Sequence, residues 1–284
     1  IIGNPNVGKS TFLNKIIGEN ISIISKKAQT TRHRLLGILN EDDFQIVFTD
    51  TPGIINTKYE LQDAMMNFVK NSLQDSDVIV YIVSNEKKDI LNEAILDYII
   101  KTKLKLFLLI NKVDLMTQKE VKLALDYWKT KYKPYKIFPI SALNKYNLDN
   151  VLGELKKVLP ISPPYFPKDS LTDRTIRFII SEIIREKIFK RYEKEIPYSS
   201  EVVVEEYREK ENIVDISCII YVERESQKAI MIGKKGNALK SLGISSRKSI
   251  QNFINKKVFL TFKVKVLKDW RKKKQQLKKL GYLN

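Results

Sequence analysis

The chain has 284 residues, a length typical of two domains, and 43% of them are hydrophobic, as in an ordinary globular protein. Its 51 Lys and Arg residues exceed its 33 Asp and Glu residues, and the net charge of +18 favours a polyanionic partner, either nucleic acid or an anionic membrane. The single cysteine allows no intramolecular disulfide and favours a reducing compartment, and the absence of a run of roughly 18 apolar residues excludes a membrane-spanning helix.

The first motif is a glycine-rich stretch with the pattern G-x-x-x-x-G-K-S, between an apolar pair and an amphipathic segment. It predicts a phosphate-binding loop, because the glycines let backbone N–H groups face a phosphate and the helix N-terminus favours its charge. Lys9 is expected to reach the β- and γ-phosphates, and Ser10 to bind Mg²⁺. The strand before the loop should begin upstream of Ile1. The nucleotide-binding residues predicted here are Gly3, Asn4, Pro5, Asn6, Val7, Gly8, Lys9, Ser10 and Thr11.

A polar stretch from residue 27 to residue 34 follows the helix. A threonine at this place completes the Mg²⁺ shell in nucleoside triphosphatases, and we favour Thr31 over Thr30 because Thr31 directly precedes Arg32. The loop is expected to become ordered when a triphosphate binds and to relax with a diphosphate. The only histidine, His33, is predicted to be an exposed loop residue rather than a metal ligand or a base.

The next motif, D-T-P-G, ends a predicted strand at 44–49, which a hairpin turn joins to another predicted strand at 35–39. Asp50 can hold Mg²⁺ through water, and Gly53 leaves its N–H free for the γ-phosphate. Many GTPases carry a glutamine at the next position to orient the attacking water, but this chain has Ile54 there, so we expect slow turnover. The motif assigns Asp50, Thr51, Pro52 and Gly53 to the nucleotide.

Two near-continuous apolar stretches, 78–83 and 104–110, predict buried parallel strands, and a weaker strand follows at 136–140. The second ends in N-K-V-D, where the carboxylate of Asp114 can accept the paired N1–H and N2 donors of guanine, which adenine lacks. The loop after the weaker strand can give a backbone N–H to guanine O6. The residues assigned to the base are Asn111, Lys112, Asp114, Ser141 and Ala142. Because open α/β sheets bind ligands beyond the carboxyl ends of their strands, these motifs predict an α/β GTPase domain over residues 1–160.

This region resembles the Era family of Ras-like P-loop GTPases, which have a mostly parallel sheet with helices on both faces. The stretch Gln29-Thr30-Thr31-Arg32-His33-Arg34 is close to a signature of that family, and so is the proline-rich Pro163-Pro164-Tyr165-Phe166-Pro167. Such a segment is semi-rigid and predicts a linker over residues 161–173. Asn6 resembles the asparagine with which several GTPases use K⁺ in place of an arginine finger. The catalytic residues implied are Lys9, Thr31, Asp50, Gly53 and Asn6.

The remaining residues, 174–284, predict a second domain of the α+β class. The predicted elements are a helix at 174–191, strands at 201–207 and 213–222, a helix at 227–232, a longer helix ending near residue 255 and a strand at 258–266. This α-β-β-α-α-β order around a G-x-x-G loop matches a type II KH domain, whose glycines let single-stranded nucleic acid approach closely. From Ser226 onward there are 17 basic residues and one acid, Asp269. The predicted RNA-binding residues are Ile232, Gly233, Lys234, Lys235, Gly236, Asn237 and Lys240.

The resemblance implies a GTPase that needs Mg²⁺, assists maturation of the small ribosomal subunit, and binds single-stranded RNA near the 3′ end of the small-subunit rRNA. A monomer in the cytoplasm is expected, with a peripheral position at the inner face of the cell membrane or an organellar location left open. The main alternative is a membrane-associated GTP switch whose basic tail, residues 263–279, docks on anionic lipid. Another is an ATPase with a KH module, which Asp114 argues against.

Overall fold

The computed structural model describes residues 1–25, 27, 29–84, 93–102 and 104–283, so Ala28 of the polar stretch lies outside the described residues. The chain divides into two compact units. The first contains Ile1–Ser22, Thr31–Lys58 and Gln62–Asp173, and the second contains Ile23–Thr30, Tyr59–Leu61 and Arg174–Asn284. Two short segments from the N-terminal half of the chain therefore belong to the second unit.

The N-terminal half of the chain alternates strands and helices, as its motifs predict. The strands are β1 (Leu35–Asn40), β2 (Gln45–Asp50), β3 (Val78–Val83), β4 (Lys105–Ile110) and β5 (Lys136–Pro139). The helices are α1 (Lys9–Ile17), α2 (Glu60–Gln74), α3 (Glu93–Thr102), α4 (Gln118–Tyr132) and α5 (Leu148–Lys156).

The strand ends of the first unit meet at one edge. Strands β3, β4 and β5 pair in that order and in parallel, while β1 and β2 form an antiparallel hairpin. Ile1 and Ile2 lie between these two sets, because the amine of Ile1 donates to the Thr49 carbonyl at 2.7 Å and Ile2 forms a parallel bridge with Tyr81. The phosphate loop, the D-T-P-G motif and the N-K-V-D motif consequently all follow strand ends at the edge where ligands bind in such sheets.

The proline-rich segment is held against the hairpin by hydrogen bonds. The Oε1 of Gln45 accepts from the N–H groups of Tyr165 at 2.8 Å and Phe166 at 3.0 Å, and its Nε2 donates to the Phe166 carbonyl at 2.8 Å. Further along, the N–H of Ile38 donates to the carbonyl of Leu171 at 2.9 Å. This part of the linker therefore packs as part of the first unit.

The second unit is built on a three-stranded sheet in the order β6-β7-β8, with β6 and β7 antiparallel and β7 and β8 parallel. Its elements are α6 (Ile176–Arg191), α7 (Ile196–Ser199), β6 (Glu201–Glu209), β7 (Ile213–Val222), α8 (Glu225–Ile232), α9 (Asn237–Ile254), β8 (Lys257–Val266) and α10 (Lys274–Lys279). The predicted fold classes of both parts of the chain are confirmed.

Helix α6 starts two residues later than the sequence suggests, because the Thr175 hydroxyl accepts a hydrogen bond from the N–H of Phe178 at 3.3 Å and so caps the helix at Ile176. Its Ile180 and Ile184 are fully buried against the sheet core. Cys218 is also buried in that core, and burial raises the pKa of its thiol to about 12, so the thiol stays neutral.

The basic C-terminal segment is folded onto the second unit. Trp270 is fully buried and its Nε1 donates to the Ser199 carbonyl at 2.9 Å, while the hydroxyl of Tyr282 donates to Glu201 at 2.6 Å. This segment is therefore folded rather than free. Within the described ranges, we find no helix with the length and apolar character needed to cross a membrane.

Candidate functional site

The phosphate loop holds its lysine through two backbone carbonyls. The Nζ of Lys9 donates to the carbonyls of Gly3 at 3.1 Å and Asn4 at 2.9 Å, and the side chain is buried. Burial lowers the pKa of Lys9 to about 8, and the nearby carboxylate of Asp50 opposes that shift. The ammonium group is thus held over the loop in a site that disfavours its charge and that an anion would complement.

We expect nucleotide binding to take up a proton at alkaline pH. Burial lowers the pKa of Lys9 to about 8, and phosphate oxygens should raise it, so the contribution of Lys9 to affinity should be full below pH 8 and be lost as pH rises above 8. Calorimetric titration with GDP at about pH 8.5, in two buffers of different protonation enthalpy, measures the uptake. Lys9→Arg should remove it, because a guanidinium does not titrate there. Affinity that is unchanged between pH 7 and 9 would contradict this assignment.

Three oxygen-bearing side chains converge beside the loop. The Oγ of Ser10 donates to the Oδ2 of Asp50 at 2.8 Å and lies 3.1 Å from the Oγ1 of Thr31. Asp50 is fully buried, and its Oδ1 has no hydrogen-bond partner among the described residues. An orphaned buried carboxylate oxygen beside two hydroxyls fits Mg²⁺, a hard cation that takes oxygen ligands and usually retains several waters.

Thr31, rather than Thr30, is the threonine of this cluster. The hydroxyl of Thr30 donates instead to the Lys27 carbonyl at 2.7 Å. The prediction that the neighbouring His33 is exposed was wrong. His33 is buried and its ring packs against Phe68 with centroids 6.0 Å apart, because α2 brings an aromatic side chain over the loop.

Ser22 is a member of the site that the sequence analysis missed. Its Oγ donates to the Oδ2 of Asp50 at 2.8 Å. Asn14 on α1 holds it in place, since the Asn14 side chain donates to the Ser22 carbonyl at 2.8 Å and accepts from its N–H at 2.9 Å. No local motif signals this contact, which forms only when the chain after α1 packs against β2.

The D-T-P-G motif approaches the phosphate loop closely. A Cβ placed on Gly53 would lie 2.9 Å from the backbone nitrogen of Pro5, so only glycine fits there. The hydroxyl of Thr51 donates to the Ile1 carbonyl at 2.8 Å and so ties the motif to the first residues of the chain. Ile54 is buried in the core, and its side chain cannot orient a water molecule.

Asn111 connects the loops that surround the predicted base site. Its Nδ2 donates to the carbonyl of Val7 at 2.7 Å and its Oδ1 accepts from the N–H of Ala142 at 2.9 Å. The N–H of Ala142, in the loop predicted to contact guanine O6, therefore donates to Asn111 in this structure. Asp114 is exposed in a 3₁₀ turn, and Lys112 lies just before it in the left-handed region with φ 67°. The exposed carboxylate is accessible to an incoming base.

The G-K-K-G loop connects α8 to α9, as predicted. Gly233 has φ +73°, and a Cβ there would lie 2.6 Å from the Cβ of Ala238, so the tight connection requires glycine. Lys234, Lys235 and Lys240 are exposed. Two apolar side chains beside the loop are also exposed, Ile230 at 56% on α8 and Ile244 at 54% on α9. Cations next to exposed apolar side chains suit the backbone and the bases of single-stranded RNA.

Comparison with known families identifies the class of each part of the chain. A family described as 50S ribosome-binding GTPase matches residues 1–112, and a family described as KH domain matches residues 195–271. Together with the fold, these matches define a GTPase that carries a KH domain.

Two solved structures resemble the whole chain. One is a variant of Era from Aquifex aeolicus bound to GDP and aluminium fluoride, and the other is Era in complex with MgGDPNP and nucleotides 1506–1542 of 16S ribosomal RNA. Each is 37% identical, has a TM-score of 0.95, and matches over 100% of this chain and 97% of the other. This chain belongs to the Era family, and the resemblance inferred from the sequence is confirmed.

Proposed function

We propose that this GTPase binds a single-stranded segment at the 3′ end of the small-subunit rRNA through its KH domain and assists assembly of the small ribosomal subunit. The observation that supports this most strongly is the similarity over the full chain to Era in complex with MgGDPNP and 16S rRNA nucleotides. The exposed lysines of the G-K-K-G loop supply cations for the RNA backbone. We propose that the protein acts as a monomer.

We propose that the nucleotide is held by the residues predicted from the motifs, within a GTPase domain at 1–160 that a linker at 161–173 joins to a KH domain at 174–284. Lys9 binds the β- and γ-phosphates, and Asp114 selects guanine. Ser10, Thr31 and Asp50 hold Mg²⁺, which neutralises charge on the phosphate oxygens when bound.

K⁺ is the second cation in this proposal. Asn6 lies within the phosphate loop, is exposed and has φ 65°. A cation beside the phosphates would replace an arginine finger, which accelerates hydrolysis by roughly 10³–10⁵ where it is present. We expect hydrolysis to be at least about tenfold faster in KCl than in NaCl at matched ionic strength. Asn6→Ala should remove the difference, and equal wild-type rates in the two salts would refute the K⁺ site.

A purely lipid-binding function is less well supported. Leu277 is fully buried in α10, whose exposed residues include Lys274, Lys278 and Lys279, so this helix offers charge but no apolar face to a bilayer. Because the proposed partner is ribosomal RNA, we propose a cytoplasmic location. Electrostatic contact with the inner face of the membrane is a secondary possibility within this proposal.

RNA binding in the presence of a non-hydrolysable GTP analogue tests the function. Fluorescence anisotropy with a labelled single strand from the 3′ end of small-subunit rRNA should show tight binding. An excess of anionic vesicles should displace little of the bound RNA. A scrambled strand of the same length is the control. Equal affinity for both strands, or complete displacement by vesicles, would favour the membrane alternative instead.

A further inference from the structure

The carboxylate of Asp50 is held through one of its two oxygens. Its Oδ2 accepts hydrogen bonds from the Oγ of Ser10 and the Oγ of Ser22, each at 2.8 Å. Its Oδ1 has no hydrogen-bond partner among the described residues, although Asp50 is fully buried. Contacts that served stability alone would be expected to pair both oxygens, because an unpaired buried oxygen is costly. This asymmetry indicates that Oδ1 is kept available for a ligand.

Helix α1 holds both of the serines that donate to Asp50. Ser10 lies in its first turn, and Asn14 lies one turn later on the same face, because residues i and i+4 are neighbours on a helix. Asn14 is buried, and its side chain donates to the Ser22 carbonyl at 2.8 Å and accepts from the Ser22 N–H at 2.9 Å. Both backbone groups of Ser22 are thus fixed from the helix that begins at the phosphate loop.

The two serines differ in what else they contact. Ser10 is a proposed ligand of Mg²⁺, and its Oγ also lies 3.1 Å from the Oγ1 of Thr31. Ser22 is buried, and its hydroxyl is committed to the Asp50 carboxylate. Because a carboxylate is planar and hydrogen bonds to a charged acceptor are strong, two donors on Oδ2 also fix the direction of Oδ1.

We propose that Ser22 is a positioning residue for Asp50, which keeps the free carboxylate oxygen available to Mg²⁺ and its bound waters, and that Asn14 fixes Ser22 in place. This rests on the proposed function, because it assumes that Asp50 serves the metal of the bound nucleotide. Neither Ser22 nor Asn14 belongs to the motifs that are predicted to bind the nucleotide. Hydrogen-bond partners that orient the ligands of a metal commonly set its affinity.

The test compares Ser22→Ala with the wild type by the release of a fluorescent GDP analogue at varied Mg²⁺. The Mg²⁺ concentration that gives half-maximal slowing should rise by about tenfold or more, because losing such a partner costs roughly 10–100-fold in metal affinity. A GTP analogue should show the same shift, since Asp50 is expected to serve the metal with either nucleotide. Release in excess EDTA should match the wild type, because the proposed role acts through the metal.

Ser72→Ala is the matched control for the loss of a buried hydroxyl. Ser72 is also a buried serine of the first unit, and its Oγ donates to the carbonyl of Phe68 on its own helix, α2, at 2.7 Å. Because this substitution leaves the contacts of Asp50 intact, the Mg²⁺ dependence should remain that of the wild type. An equal shift in Ser72→Ala would overturn the proposal, since the effect of Ser22→Ala would then be a general loss of stability.

A double-mutant cycle with Asp50→Ala separates the positioning role from the metal site itself. If Ser22 acts through Asp50, the double variant Ser22→Ala/Asp50→Ala should have the Mg²⁺ dependence of Asp50→Ala alone. Additive effects would overturn the proposal. A shifted Asp50→Ala beside an unshifted Ser22→Ala would overturn the positioning role alone. A wild-type Mg²⁺ dependence in Asp50→Ala would refute the metal site of the proposed function, and the positioning role with it.

A further variant guards against misfolding. Asn14→Ala leaves the Ser22 hydroxyl in place but removes the side chain that fixes its backbone, and should shift the Mg²⁺ dependence in the same direction by a smaller factor. If Ser22→Ala does not fold, a wild-type Mg²⁺ dependence in Asn14→Ala would overturn the proposal.

Discussion

Replacing Lys234 and Lys235 together by Asp is expected to abolish binding of single-stranded RNA and to leave GTP binding unchanged. Each substitution removes a cation from a phosphate contact and adds a repelling carboxylate. The core should be unaffected, because both lysines are exposed. The backbone should also tolerate the change, since Lys235 has φ 51° and Asp adopts this left-handed region more readily than most residues.

The measurement is a fluorescence-anisotropy titration with single-stranded RNA, with the salt dependence recorded for the wild type. Log affinity should fall with log salt by roughly 0.7 for each phosphate neutralised. A double variant with the same charge change, Lys119→Asp/Lys122→Asp on exposed positions of α4, is the matched control and should keep most of the affinity. Full affinity in the Lys234/Lys235 variant would mean that this loop is only a connection between helices.

Arg271 lies in the basic C-terminal segment but takes part in the packing of the second unit. Its guanidinium is largely buried, pairs with Glu223 at 2.5 Å and lies over the ring of Tyr59, 5.1 Å from the centroid. Neutralising it would leave Glu223 unpaired and disturb the fold. The exposed Lys272 and Lys273 are better choices for removing charge from this segment, and should weaken RNA binding without altering sequence preference.

Asp114→Asn is expected to change the preferred nucleotide from GTP to xanthosine triphosphate. The carboxylate accepts two hydrogen bonds from guanine, and an amide cannot accept both, so GTP affinity should fall by on the order of 10²–10⁴-fold. Xanthine carries an acceptor oxygen at C2, which suits the amide donor of Asn.

Competition against labelled GTP for the wild type, and against labelled xanthosine triphosphate for the variant, measures the change, and ATP serves as the control for both proteins. The fold should be unaffected, because Asp114 is exposed at the surface. A wild type that binds ATP as tightly as GTP would show that Asp114 does not select the base.

The contiguous motifs could be predicted from the sequence because each one carries its own geometry. The phosphate loop, the D-T-P-G motif and the G-K-K-G loop all lie at the predicted element ends, and β7 spans Ile213–Val222 as its apolar pattern predicts. The bounds of a strand whose alternate residues are buried against helices can be predicted from its own residues. Glycines also mark tight connections in the sequence, because only glycine fits at such positions.

Other parts of the site depend on contacts between distant segments, which no local pattern records. Ser22 reaches Asp50 only after the chain folds back from α1, and His33 is buried because α2 supplies Phe68. The second unit has the same kind of contact, because Arg185 on α6 looks in the sequence like one more charged residue of an amphipathic helix but is fully buried, and its hydrogen bond to Thr30 spans 155 positions. The carbonyl it contacts carries no signal in the sequence at all.

Crosslinking of the protein to RNA in living cells, followed by mapping of the bound nucleotides, tests the central claim most directly. We expect crosslinks concentrated in a single-stranded segment at the 3′ end of the small-subunit rRNA, and their loss in the Lys234→Asp/Lys235→Asp variant. Crosslinks spread over unrelated RNAs, or unchanged in that variant, would contradict it.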